Sequence, residues 1–129
     1  MMIESTIAAY LFSFLTCVVV IFQFALAVGA PWGEMTMGGK FPGQLPPIMR
    51  AIAIVQVAIL VFLEVIVLTR AGLVFEEYLR LSKSMIWVVV VFCAMGSILN
   101  TITSSKKERL LWAPVNIALL ICAFAVTRS

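Results

Sequence analysis

The chain has no histidine and no aspartate. Acid–base catalysis by histidine, His-ligated haem or metal, and Ser-His-Asp triads are excluded, because each lacks the group it needs. Cysteine is scarce. Cys17, Cys93 and Cys122 each sit inside an apolar run, and no CxxC pair exists. That leaves no basis for a zinc site or a thioredoxin-like centre, and the three thiols read as small buried hydrophobes. Charge is sparse too, with charged residues making up 12% of the chain. The net charge of +3 comes from lysines and arginines placed between apolar segments. No basic face with interleaved aromatics forms, so membrane lipids, rather than nucleic acid, are the expected partners. Neither a cofactor nor a metal is expected.

Apolar residues, by contrast, are 64% of the 129 residues, and mean hydropathy is +1.16. A soluble domain of this size has no interior large enough to hide them. A bilayer does. Four apolar runs stand out, at about residues 7–30, 51–69, 84–103 and 110–127. Each is close to the ~20 residues a helix needs to cross ~30 Å of hydrocarbon. Only helices and closed barrels satisfy every backbone group in lipid, and these runs lack the alternation of a barrel. The expected fold is all-α: an integral membrane four-helix bundle, one domain over residues 1–129, multi-pass in the cell membrane. The first run ends in Ala27-Val28-Gly29-Ala30, which resembles a signal-peptide cleavage site. No Lys or Arg precedes it, however, and it exceeds the ~7–15 apolar residues of a signal. A retained span is expected.

The first connection, residues 31–50, is dominated by glycine and proline and is not expected to be helical. Gly38-Gly39 between Met35-Thr36-Met37 and Lys40-Phe41 has the spacing of a short hairpin. Trp32 stands where the first helix would leave the hydrocarbon, a usual place for an indole. In the second connection, Phe75, Tyr78 and Leu79 alternate with Glu76, Glu77 and Arg80 at helical spacing. The second helix is therefore expected to run on into the headgroup zone. Ser105 and Glu108 have capping-box spacing, which starts the fourth helix near Lys106. Pro114 then falls inside that helix and predicts a bend. Trp87 and Trp112 read as interfacial anchors. Four Lys or Arg fall on the terminus side against five on the other. This near tie leaves orientation open, with the Lys106-Lys107-Glu108-Arg109 patch favouring cytoplasmic odd-numbered loops.

Polar residues inside lipid are costly and therefore informative. Each run carries one amide: Gln23, Gln56, Asn100 and Asn116. At about 1.5 Å per residue, all four lie within roughly 5–10 Å of the same membrane face, the face that bears the Gly/Pro loop. If all face the bundle axis they meet at one level. One reading is hydrogen-bonded glue between helices. The sharper one is a polar pocket under the loop, with Trp32 and Glu34 contributing. Glu64 is the one carboxylate inside a run and falls in the opposite leaflet. It is either a proton- or ion-binding group of a transporter or a carboxylate bonded to Tyr10, Ser13 or Arg128 at similar depth. Cys93, Gly96, Ser97 and Asn100 form a small-residue strip on the third helix, suited to close helix packing.

Gly29-Ala30-Pro31-Trp32-Gly33, Gly38-Gly39, Pro42-Gly43 and Leu45-Pro46 resemble a loop pattern found in an uncharacterised family of small four-span bacterial membrane proteins. Asn100 to Ser104, Glu108-Arg109, Trp112 and Pro114-Val115 are similar to the same group. The resemblance implies a four-span bundle and brings no activity with it. It points to the same face as the amides. The chain does not match small multidrug-resistance transporters, whose carboxylate lies in the first span.

The expected function is therefore non-catalytic: a membrane protein that binds a partner or small ligand at the first-loop face. The alternative is a small oligomeric transporter or channel subunit that uses Glu64 and the amides. An enzyme has the least support, since Glu34, Lys40 and Glu64 are scattered and no nucleophile–base pair is evident.

Overall fold

A computed structural model describes residues 2–128. Among these residues the chain forms four long helices and no strand: α1 (Met2–Val28), α2 (Pro47–Arg70), α3 (Leu79–Ile102) and α4 (Lys106–Val126). All four are long and apolar enough to cross a membrane. The shortest, α4, has 21 residues, which at about 1.5 Å each exceeds ~30 Å of hydrocarbon. The outer surface carries Phe14, Ile21, Phe62, Ile98, Leu110 and Ile121, each more than half exposed. A bundle built for water buries such residues.

The helix boundaries follow from local chemistry. α1 stops at Gly29, whose φ of +110° no residue with a Cβ adopts easily. The N–H of Ala30 then reaches back to the carbonyl of Ala25 at 2.9 Å, and Pro31 prevents continuation. α2 opens with Pro47 in its first turn, where the missing N–H costs nothing. α4 begins at Lys106 because the Ser105 hydroxyl accepts the Glu108 N–H at 3.2 Å. It then runs unbroken through Pro114.

Three expectations need correction. α2 does not run on into the second connection. It ends at Arg70, where Gly72 takes φ +79° and the Leu73 N–H closes on the Leu68 carbonyl at 3.0 Å. The amphipathic stretch belongs instead to the approach to α3, as a 3-10 turn over Glu76–Tyr78. The first loop is not a hairpin. It forms two consecutive 3-10 turns, Gly33–Met35 and Met37–Gly39. Gly38 and Gly39 do take positive φ, as a tight turn requires, but the Gly38 N–H and carbonyl are taken by Glu108 of α4 and Ser104 of the α3–α4 connection. Trp112 is not an interfacial anchor. It is 7% exposed, in contact with Phe22 at 4.6 Å between ring centroids. Trp87 is half exposed and packs edge-on against Phe124.

The bundle is a ring. α1 packs on both α2 and α4, α3 packs most heavily on α4, and α2 and α4 face each other across the diagonal with little contact. α2 and α3 close the ring least tightly. Two cores result. In the half that holds the chain termini, all four helices contribute, with Phe12, Val67, Val89 and Ala123 among the best buried. In the loop half the core is Phe22, Leu26, Leu45, Ala53 and Trp112. That second core takes a residue from the loop and none from α3. Beyond Cys93, only Ser97 of α3 is buried.

Candidate functional site

Because the upper part of α3 stays out of the core, space remains between it and the other helices. A cavity of about 600 Å³ fills this space beneath the first loop. Gln23, Gln56, Asn100 and Asn116 all line it, one from each helix. Hydropathy placed these amides at one depth; the packing rotates all four toward the same void.

Their bonding differs from that of interhelical glue. Among the described residues, the side-chain amides of Gln23, Gln56 and Asn100 have no hydrogen-bond partner in the protein. Asn116 donates only within its own helix, to the Trp112 carbonyl at 3.0 Å. The four reach the cavity but not one another. Asn116 also explains Gly96. A Cβ on Gly96 would stand 2.7 Å from the Asn116 Oδ1, so α3 leans on α4 here and a larger residue requires the Asn116 side chain to shift. The small-residue strip is divided: Cys93 and Ser97 are buried in the packing, while Gly96 and Asn100 line the cavity.

The roof is the first loop, and α4 with the two residues before it holds it down. Five polar contacts join the loop to this segment. The Gly38 N–H donates to the Glu108 carboxylate at 3.2 Å, and Ser104 Oγ donates to the Gly38 carbonyl at 3.2 Å. Ser105 Oγ donates to the Glu34 carbonyl at 2.6 Å. Lys107 pairs with the Glu34 carboxylate. Trp112 Nε1 donates to the Met35 carbonyl at 3.0 Å. Thr103 Oγ1 also donates to Glu108, whose side chain is only 8% exposed. A buried carboxylate is tolerated because it accepts these bonds within the first turn of a helix. Within the loop, the Gly33 N–H donates to the Gly43 carbonyl at 2.8 Å. A Cβ on Gly33 would meet the Phe41 carbonyl oxygen at 1.8 Å, so that position accepts only glycine. Arg50 ties the loop's far end, donating from Nε to the Leu45 carbonyl at 3.0 Å.

The other residues singled out from the sequence have different places. Trp32 is in the roof, stacked on Phe22 with ring centroids 6.0 Å apart, and does not line the cavity. Glu34 is a roof residue paired with Lys107 rather than a cavity residue. Glu64 lies outside the cavity and accepts the Ser13 hydroxyl. Of the three partners foreseen for it, Ser13 is the one found. Arg128 instead lies over the Phe124 ring at 5.9 Å.

The cavity also uses residues that sequence reasoning did not single out as its lining: Thr36, Gly38, Lys40, Thr103 and Glu108. For Glu108 a signal existed, but the capping box accounted for it in advance. Only half of that box forms. The Ser105 side chain caps the helix, while the Glu108 side chain turns to the loop. Lys40 is exposed, and among the described residues its ammonium has no hydrogen bond or ion pair. Among the described residues, no group of three Cys or Glu side chains is placed to hold a metal ion. No protein-family model matches the chain, nor does any curated protein or solved structure.

Proposed function

We propose that the chain is a multi-pass protein of the cell membrane that binds a small ligand, without catalysis, in the cavity beneath its first loop. One observation carries this reading. Three carboxamides, from α1, α2 and α3, face a cavity of about 600 Å³ with no partner in the protein. Glue would have paired these groups with one another. Left unpaired, they serve as hydrogen-bonding groups for whatever enters. A volume near 600 Å³ lies within the ~300–1,000 Å³ of small-molecule sites.

The test is to purify the full chain in native lipid and identify by mass spectrometry what co-purifies. Gln56→Leu and Asn100→Leu should each deplete the bound molecule while circular dichroism reports an intact helical bundle. Equal recovery from all three proteins would overturn the reading.

A second reading has one observation in its favour. Gln56, Leu60 and Glu64 follow one another at four-residue spacing on one face of α2, and Leu60 lines the cavity. A swing of Leu60 would connect the cavity toward Glu64, giving a transporter or channel subunit a polar path. Proton-coupled flux into liposomes that disappears in Glu64→Gln would favour it. Flux that survives the substitution would remove it.

A further inference from the structure

The cavity has a direction. Its roof is polar, formed by the loop with Lys40 and by Glu108, whose carboxylate is engaged by the Gly38 N–H and the Thr103 hydroxyl, and the four amides lie beneath. Its walls toward α2 and α3 are apolar, formed by Leu60, Phe92, Met95, Leu99 and Ile102. Those walls continue to the outer surface. Met95, Leu99 and Ile102 are 58%, 61% and 71% exposed, although they also line the cavity. The opening therefore lies between α2 and α3, the pair that closes the ring least tightly. Their connection, residues 71–78, is at the far end of the bundle, so no loop ties them together here.

Resting on the reading of the cavity as a ligand site, we propose that it takes a membrane amphiphile with an anionic phosphate headgroup, one whose phosphate charge no choline-type cation offsets. The headgroup sits under the loop and the chain leaves between α2 and α3 into the lipid. Three features select this class. A water-soluble polar solute has no use for an apolar side exit, whereas an acyl chain needs one. The amides offer N–H donors and carbonyl acceptors that suit phosphate oxygens and glycerol hydroxyls. Lys40 supplies a cation that is not already engaged. Lys107 is paired with Glu34, Arg50 and Arg109 donate to backbone carbonyls, and Lys106, also unengaged, is outside the cavity lining. A volume of about 600 Å³ takes a headgroup and the start of a chain. The remainder lies in the bilayer.

The experiment reconstitutes the full chain in phosphatidylcholine vesicles doped with phosphatidylglycerol, then extracts it gently for native mass spectrometry. Phosphatidylglycerol should be retained over phosphatidylcholine. Lys40→Gln, an exposed loop substitution that leaves the bundle intact, should lower that preference about tenfold. Lys40→Arg should restore it. Gln56→Leu and Asn100→Leu should reduce total retained lipid. Inorganic phosphate or glycerol phosphate binding in place of the lipid would overturn the amphiphile while leaving the ligand site standing. Retention that ignores Lys40 but still depends on the amides would overturn the anionic headgroup alone. Retention that ignores both Lys40 and the amides would place the lipid on the outer surface and overturn the proposal together with the reading beneath it.

Discussion

The two halves of the bundle use the same helices and reach opposite results. In the half with the chain termini, α3 contributes Ile86, Val89 and Cys93 to a core shared by all four helices. In the loop half, α3 contributes nothing to the core, and Leu45 of the loop is buried instead. Polar groups follow the same division. Glu64, nearer the solid half, is bonded to Ser13. The amides of the open half are mostly unbonded and face a void. Where lipid is the surrounding solvent, apolar side chains gain little by packing inward rather than facing outward. Packing detail and a latched loop, not hydrophobic burial, then determine which half closes.

The strongest test of this contrast sits on one helix. Ile86→Ala removes a side chain that is 1% exposed and should cost about 3 kcal/mol. Leu99→Ala, at 61% exposure, should cost less than about 0.5 kcal/mol. Unfolding of the two variants in mixed micelles gives both values; similar costs would mean that α3 is packed alike along its length. Next in size is Gly33→Ala. The added carbon would overlap the Phe41 carbonyl, so the loop should lose about 3 kcal/mol of local stability. Faster amide hydrogen exchange over residues 33–43, with α3 and the lower core unchanged, is the expected pattern.

Glu108→Ala comes next, leaving the Gly38 N–H and the Thr103 hydroxyl without their acceptor at a cost of about 2 kcal/mol. It should loosen the roof in the same exchange measurement, while Glu108→Gln, which keeps an acceptor oxygen, recovers part of the loss. The smallest effect is expected from Gln56→Leu, under about 0.5 kcal/mol, because no protein hydrogen bond is broken. A loss near 2 kcal/mol in its unfolding curve would show that the amide is glue after all.

Much of this organisation can be read before folding. Ser105 and Glu108 place the start of α4, Gly29 and Pro31 stop α1, and counting residues from the helix ends puts four amides at one depth. The periodicity of Phe75, Tyr78 and Leu79 reads as more of α2, but Gly72 closes that helix locally, with the Leu73 N–H on the Leu68 carbonyl. Gly38-Gly39 promises a change of direction, but not which partner takes up the freed backbone groups. For Gly38 it was Glu108, 70 positions away.

The sequence alone determines four membrane-length helices, the irregular loop and the level of each polar residue, because rise per residue and the thickness of hydrocarbon are fixed quantities, although not where each helix ends. Only the tertiary structure decided that Trp112 turns inward, that Glu108 holds the roof, and that α3 stands away from α2 so the amides line a space rather than meet. Helices apolar on nearly every side carry no strong signal for their rotation. Contacts such as Gly96 against Asn116 and Trp112 against Phe22 set it, and those exist only once the helices are together.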